Sequence, residues 1–147
     1  MRNTGLLKIA TLVMTALFFV SCDKDDDSTV TVTVNGTVLV GDRSDFNGDI
    51  DASFTGIEGT DSRSFIWNNN LTTADYNADI TATTVGTFQI TVEDSEGSIV
   101  LNRTIDGGTE PDTIGGVTAS GVSGIWTVTI QVTNFTGDGS FSLSEGN

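Results

Sequence analysis

The side chains that could do chemistry in this chain are 20 carboxylates and one thiol, because the 147-residue sequence contains no histidine. Without histidine, a Ser-His-Asp triad, a Cys-His pair and the usual zinc sites cannot be built. Two carboxylates roughly 5 to 9.5 Å apart could still hydrolyse a glycosidic bond. With so many acids, some pair meets that spacing by chance. The sequence therefore favours a non-catalytic protein, with a carboxylate-based glycoside hydrolase as the less favoured alternative.

The thiol belongs to Cys22, which ends an apolar stretch. Arg2 and Lys8 give a basic start, residues 9–20 form the apolar run, and Ser21 is the small residue before the cysteine. These are the parts of a secretory signal peptide. The run is shorter than the roughly 20 residues that span a bilayer, so we predict a cleaved leader rather than a transmembrane helix.

With a cysteine at its processing point, this segment resembles the lipobox of bacterial lipoproteins. Ser21 fits that pattern, whereas Phe19 stands where Leu is most common. The resemblance implies a signal peptide over 1–21, a diacylglyceryl group on Cys22 and a further fatty acyl chain, such as palmitate, on its new amino group. At about 0.8 kcal/mol per buried CH₂, several chains together make a durable anchor. An ordinary secretory signal with a cysteine nearby is the alternative.

The acidic segment 22–28 is predicted to be a flexible tether, because clustered like charges oppose compaction. Within it, Lys24, Asp25 and Asp26 resemble the signal that sends lipoproteins of some Gram-negative bacteria to the outer face of the outer membrane. The resemblance implies a surface-exposed protein. Asp23 implies the opposite address, because in enteric bacteria an Asp directly after the lipidated cysteine marks retention in the inner membrane, facing the periplasm.

The acidic balance limits the partners of the exported part. The chain has a formal net charge of −14, and all of its acidic residues follow the cysteine. Such a surface repels phosphate backbones, which argues against nucleic acid. It also repels anionic head groups, so the membrane contact should be the lipid anchor alone. Cations, including Ca²⁺, and basic partners are electrostatically permitted, while the acid content also favours the solubility of an exposed domain.

Residues 29–147 are predicted to form one all-β domain, a single antiparallel β-sandwich. Thr, Val, Ser, Gly, Asn and Asp dominate, and period-two alternation recurs throughout. Asn35 and Gly36 predict a hairpin between two such runs. The strand count is seven to nine, from runs at 29–34, 37–40, 46–54, 65–67, 80–84, 87–92, 98–105, 126–133 and 141–143.

The sequence also predicts the connections between strands and contains one weak internal similarity. Turns are predicted at 94–97 and 137–139, and residues 106–123 are predicted to be a long connection. Segments 86–92 and 124–130 share a glycine, an aromatic residue and alternating Thr. They resemble strands of exported bacterial immunoglobulin-like or jelly-roll modules, which implies a sandwich and no particular function.

The sharpest metal candidate is the set Asp45, Asp49 and Asp51. Oxygen ligands at alternate positions open an EF-hand loop, but Ile50 and Gly56 stand where that loop needs glycine and an acid. A calcium site of another kind is one hypothesis. The other is that these side chains point to solvent from a strand.

Other candidate sites rest on single residues. Trp67 and Trp126 are in phase with apolar neighbours and are predicted to lie in the core, which leaves Tyr76 as the best exposed aromatic residue for a ligand. Thr113 and Ser28 follow aspartates and resemble an O-glycosylation pattern of some Gram-negative exported proteins; the alternative is a plain loop and a plain spacer.

The leading hypothesis is a membrane-anchored lipoprotein that acts as a non-catalytic binding or accessory module of the cell envelope. Its partner would be an envelope protein or a glycan. The alternative is a purely structural acidic envelope domain, with or without a stabilising Ca²⁺. No cofactor is expected other than this optional Ca²⁺.

Overall fold

The computed structural model describes residues 29–41 and 45–146, and over these residues the protein consists of strands and their connections, with no helix. The predicted all-β class and the predicted number of strands are both confirmed. The nine strands of the described residues are β1 (Thr29–Val34), β2 (Thr37–Val38), β3 (Asp45–Asn47), β4 (Ile50–Asn69), β5 (Ala74–Ala82), β6 (Thr87–Glu93), β7 (Ile99–Asp106), β8 (Thr113–Val117) and β9 (Gly124–Glu145).

Two long strands, β4 and β9, pair antiparallel at the centre of the sheet, and each contributes to two layers. The first layer has the order β2-β1-β4-β9-β5-β8 and uses the first half of β4 with the second half of β9. The second layer has the order β3-β4-β9-β6-β7 and uses the other halves of the two long strands. Every pair is antiparallel except β3 with β4.

The two layers face each other across a common core. Phe65 pairs with Val128, and Phe141 lies much further along β9. In a flat sheet Phe65 and Phe141 would be roughly 40 Å apart, at about 3.3 Å per residue, yet their ring centroids are 6.3 Å apart. Phe54 of the first layer likewise stacks on Phe88 of the second, with centroids 4.6 Å apart. The sheet therefore folds over on itself, which confirms the predicted sandwich-like architecture.

Alternation along the strands fills the space between the layers with apolar side chains. Trp67 and Trp126, both predicted to be core residues, are fully buried and meet edge to face with centroids 6.0 Å apart. Their indole N–H groups donate to the carbonyl oxygens of Gly48 and Val122, each at 2.7 Å. Because a buried aromatic ring removes about 150–250 Å² from water, these rings and the phenylalanines stabilise the contact between the layers.

The prediction that Phe65 and Trp67 form a separate strand is wrong, because β4 runs without a turn from Ile50 to Asn69. The strand bends instead. Its register with β9 shifts between Gly56 and Asp61, and the intervening bulge carries the chain from the first layer to the second.

The prediction of a turn at 137–139 is also wrong, because β9 continues through these residues. Gly137 has φ +149°, and a Cβ there would collide with the carbonyl oxygen of Thr81. Gly139 lies opposite Phe54, whose ring occupies the space of the missing side chain. Glycine therefore serves here to let three strands approach closely, and not to reverse the chain.

The hairpin at Asn35 and Gly36 is confirmed, with φ values of +48° and +79° and β2 paired to β1. The single strand expected over 46–54 is not found. The chain breaks at Gly48, and Phe46 lies in β3 beside the far end of β4.

Two further strands differ from their predicted positions. β5 begins at Ala74 instead of Ile80, so part of the supposed turn region is paired to β9. The supposed connection 106–123 contains β8, which pairs with β5. β8 has the sequence Thr-Ile-Gly-Gly-Val, where two glycines hide the alternation that marks other strands.

Candidate functional site

The predicted anchoring and export residues lie outside the described residues, and so do the predicted signal peptide and tether. Across residues 29–41 and 45–146, no helix has the length and hydropathy to cross a lipid bilayer. The predictions that the structure does not describe concern Cys22, Lys24, Asp25, Asp26, Ser28 and the segments 1–21 and 22–28.

Asp45, Asp49 and Asp51 are all exposed, but Asp45 lies in β3 next to Ile66 at the far end of β4, whereas Asp49 and Asp51 lie around the start of β4. The side chain of Asn35 binds the main chain of Asp49 and Asp51. Its Nδ2 donates to the carbonyl oxygen of Asp49 at 3.0 Å, and its Oδ1 accepts the N–H of Asp51 at 2.7 Å. In the described part of the chain, no group of three or more Asp, Glu, His or Cys residues is arranged to hold a metal ion. The calcium site stays a prediction: it requires that CaCl₂ raise the melting temperature, and that Asp49→Asn reduce the rise.

The prediction that Tyr76 is exposed is wrong. Tyr76 lies in β5, is 8% exposed and belongs to the core. It stands opposite Gly116 of β8, and a Cβ on that glycine would be in contact with the tyrosine ring. Alternation with Ala74 and Ala78 puts the tyrosine on the inner face, although its sequence neighbours are polar. Its ring supports β8 and is not an open stacking surface.

Thr113 is the first residue of β8 and is exposed. Its Oγ1 donates a hydrogen bond to the carbonyl oxygen of Ala78 at 3.0 Å. The O-glycosylation of Thr113 stays a prediction. What the structure adds is that Thr113 lines a groove.

The groove lies between β7 and β8, the last strands of the two layers on one side of the molecule, and has a volume of about 490 Å³. Its lining combines apolar residues with charged and hydroxyl side chains. The lining residues are Arg103, Thr104, Ile105 and Asp106 from β7, Thr109, Glu110 and Pro111 from the connection, and Thr113, Ile114 and Gly115 from β8.

Arg103 is an unusual residue for its position in β7. It pairs with the buried Ile90 of β6 and stands between Leu101 and Ile105, which are buried as well. Alternation thus puts Arg103 on the inner face of its layer, yet the residue is exposed because the layers part at this edge. A guanidinium group on an inner face requires an anion, water or an edge-protecting role to explain it.

Arg103 differs in this respect from the other arginine of the described residues. Arg63 lies in the same cross-strand row of the second layer, on β4 at the opposite edge, and forms a salt bridge with Asp61. Among residues 29–41 and 45–146, no carboxylate oxygen lies within the 4.0 Å of a salt bridge to Arg103. Its five N–H donors suit a planar, bidentate anion such as a carboxylate.

The connection between β7 and β8 closes one end of the groove. Thr109 Oγ1 donates to the carbonyl oxygen of Asp106 at 3.3 Å, and the Asp112 N–H donates to Glu110 Oε2 at 3.3 Å. The Glu110–Pro111 peptide bond is cis. Asp106 and Glu110 add negative charge at this end, so the groove offers one cation along its wall and two anions at its closed end.

The carboxylate of Asp94 has a shifted pKa, and its surroundings are structural. Its Oδ2 accepts the N–H of Val122 at 2.9 Å, and its Oδ1 accepts the N–H groups of Ser98 at 2.8 Å and Glu96 at 3.0 Å. The bond from Val122, followed by that from Ser98, lowers the pKa of Asp94, although burial opposes the change. Asp94 therefore ties the β6–β7 turn to the segment that follows β8.

Sequence reasoning missed the groove, but one signal for it was present. In the predicted strand 98–105, the inner-face positions include Leu101, Arg103 and Ile105. A charge in phase with core residues marks either an edge strand or a binding position. The sequence does not show that β8 exists beyond this edge, because its two glycines interrupt the pattern.

Comparison of the chain with protein-family models, with curated proteins and with solved structures finds no match in any of the three. The function is therefore inferred from the residues of the chain itself.

Proposed function

We propose that this chain is a bacterial lipoprotein, anchored in the outer membrane through Cys22, whose sandwich-like domain is a non-catalytic binding or accessory module at the cell surface. The observation that carries the proposal is the position of Cys22. The chain has one cysteine, and it stands where a basic, apolar and small-residue leader ends and an acidic segment begins.

A binding role is supported by the groove between β7 and β8. At about 490 Å³ it falls within the volume range of ligand sites. The lining carries Arg103, two carboxylates and several hydroxyl groups, whereas Tyr76 and both tryptophans are buried and offer no stacking surface for a sugar ring. An envelope protein is therefore the favoured partner over a glycan.

The anchor is tested by expressing the full chain in a Gram-negative host and measuring the intact mass of the product. We expect loss of residues 1–21 and the added mass of a diacylglyceryl group with a further acyl chain, in a membrane fraction. Cys22→Ser is the matched control and should leave the protein unlipidated. A bare thiol on Cys22, or a retained leader, would contradict the proposal.

The address is tested by adding protease to intact cells. We expect the wild-type protein to be cleaved, and a Lys24→Ala/Asp25→Ala/Asp26→Ala variant to be protected while still lipidated. Protection of the wild-type protein, with recovery in inner-membrane fractions, would favour the retention signal at Asp23 instead.

A further inference from the structure

We infer that β7 binds an extended peptide strand of a partner protein, and that an acidic side chain of this peptide contacts Arg103. The inference rests on the proposed binding role and names its site and the chemistry of its partner. It concerns the strand edge that borders the groove, where main-chain groups, a cation and an apolar floor come together.

In the middle of β7, the main-chain N–H and C=O groups on the side away from β6 have no hydrogen-bond partner among the described residues. The Gly107 N–H donates to Gly86 on the β6 side, while the Val100 carbonyl accepts the Ala119 N–H from the other side at 2.9 Å. Because N–H and C=O groups alternate between the two sides of an antiparallel strand, the groups of Asn102 and Thr104 point away from β6. The hydrogen bonds of the described residues leave these groups without a main-chain partner, so they can pair with an added strand.

The same alternation defines what lies opposite Arg103. Because the main-chain groups of Arg103 face β6, an added strand meets Arg103 in a non-hydrogen-bonded pair. Such pairs bring the two Cα atoms to about 4.5 Å, closer than hydrogen-bonded pairs. An Asp or Glu at this position of an antiparallel peptide therefore lies on the inner face, within reach of the guanidinium group.

The neighbouring positions extend the recognition pattern. The peptide residue two places before the acid would lie opposite Ile105, next to the half-buried Ile114 of β8, and should be apolar. The residue before that one would lie opposite Asp106 and close to Glu110, where a basic side chain is attracted. The expected order is basic, apolar, any residue, acidic.

Both ends of this open edge are limited by loops. At the start of β7, the Val100 carbonyl already accepts a hydrogen bond from the N–H of Ala119. At the end of β7, the Asp106 carbonyl already accepts one from the hydroxyl of Thr109. The pairing segment is therefore short, which favours a reversible contact over a permanent one.

A second copy of this chain is a poor occupant of the same edge. If two β7 strands paired antiparallel about Arg103, the two guanidinium groups would face each other, and like charges directly opposite are destabilising. The net charge of −14 on each chain adds repulsion. A partner that supplies a carboxylate satisfies Arg103, whereas a copy of the chain does not.

The test measures fluorescence anisotropy of a labelled peptide, TKVTETT, added to the full chain. We expect saturable binding that weakens at least about tenfold, or about 1.4 kcal/mol, when the peptide glutamate is replaced by glutamine. Arg103→Glu should abolish binding of this peptide and favour TKVTKTT, in which lysine replaces the glutamate.

Two further variants separate recognition from folding. Arg63→Glu makes the same charge change in the same layer, but at the opposite edge and three strands away from β7, and should leave peptide binding unchanged. Thr104→Pro removes an outward N–H without touching the ladder to β6, and should abolish binding while the melting temperature stays close to that of the wild type.

The inference is overturned if TKVTETT does not bind, if binding is equal for glutamate, glutamine and lysine peptides, or if Arg63→Glu weakens it as much as Arg103→Glu. Concentration-dependent self-association that Arg103→Glu removes would also overturn it, in favour of a second copy. Lipidation of Cys22 is measured separately, so either failure is recognised independently of the other.

Discussion

Two regions of the folded sheet differ in how closely its strands approach. One is the crossing, where β4, β5 and β9 meet at Gly137 and Gly139, and the other is the groove between β7 and β8. At the crossing, Gly137 and Gly139 leave no room for even a methyl group. At the groove, about 490 Å³ stays open beside two strands whose outer edges carry no further strand among the described residues. Close backbone contact joins the layers at the crossing, while their separation at the groove leaves main-chain groups available for recognition.

The layers also end differently on their two sides. On the side away from the groove, the last strands are β2 with two residues and β3 with three. On the groove side they are β7 with eight residues and β8 with five. Very short edge strands are a common protection against unwanted strand pairing. The groove side lacks that protection, and its inner-face Arg103, unlike Arg63 in the same row at the other edge, has no salt bridge among the described residues.

The largest expected effect comes from closing the space at the crossing. Gly137→Ala should lower the free energy of unfolding by about 4 kcal/mol, because the added Cβ collides with the backbone of β5 and the residue keeps a left-handed φ. Urea unfolding followed by tryptophan fluorescence measures the loss. The matched variant at the groove, Gly115→Ala, meets its nearest atoms at 3.3 and 3.4 Å and should cost less than about 1 kcal/mol. Equal losses would contradict the contrast.

The next effect concerns the ring that supports β8. Tyr76→Ala should cost about 3 kcal/mol, because it removes a buried ring and leaves Gly116 uncovered. Tyr76→Phe keeps the ring and should cost less than about 1 kcal/mol. The same urea titrations apply. A Tyr76→Ala protein with wild-type stability would return this residue to the role of an exposed ligand contact.

The third prediction concerns acid. The pKa of Asp94 is lowered in the folded protein, so its carboxylate stabilises the fold above its ordinary pKa of about 4, and this contribution is lost as the pH falls through the lowered value. Asp94→Asn should therefore be less stable than the wild type at pH 7, with the difference shrinking as the pH falls below 4. Melting temperatures across that range measure it. A stability difference that stays constant as the pH falls below 4 would contradict this role of the Asp94 carboxylate.

The smallest expected effect is at the groove itself. Arg103→Gln should change the free energy of unfolding by less than about 0.5 kcal/mol, because the side chain is exposed and has no salt bridge among the described residues. Arg63→Gln should cost up to about 1 kcal/mol, since it breaks the pair with Asp61. Chemical unfolding of both variants decides the order. A large loss in Arg103→Gln would indicate a structural role instead of a binding one.

The strands that could be predicted were those with unbroken alternation. The run from Trp126 to Thr133 and the run from Thr87 to Val92 appear in the structure almost as predicted, because alternation depends on neighbouring residues. Gly137 was misread because glycine serves both turns and close crossings, and its sequence neighbours do not distinguish them. Tyr76 was predicted wrongly because its sequence neighbours are polar, although its position in the strand puts its side chain on the inner face.

The candidate site was harder to predict from the sequence than the fold. Thr113 was identified for another reason and lines the groove, whereas Arg103 was not identified at all. The sequence shows that Arg103 alternates with core residues. The groove beside Arg103 exists only because β8 lies beyond this edge, where β8 is placed by pairing with β5.

The order of residues was enough to establish an all-β chain with a core of alternating apolar residues, because strand periodicity is a local property that each segment carries alone. Where β4 and β9 bend, which glycines are crossed by other strands and where the layers part were decided only in the folded molecule. These features depend on contacts between residues far apart in the chain, such as Phe65 with Phe141 and Tyr76 with Gly116, and no single segment contains both members of such a pair.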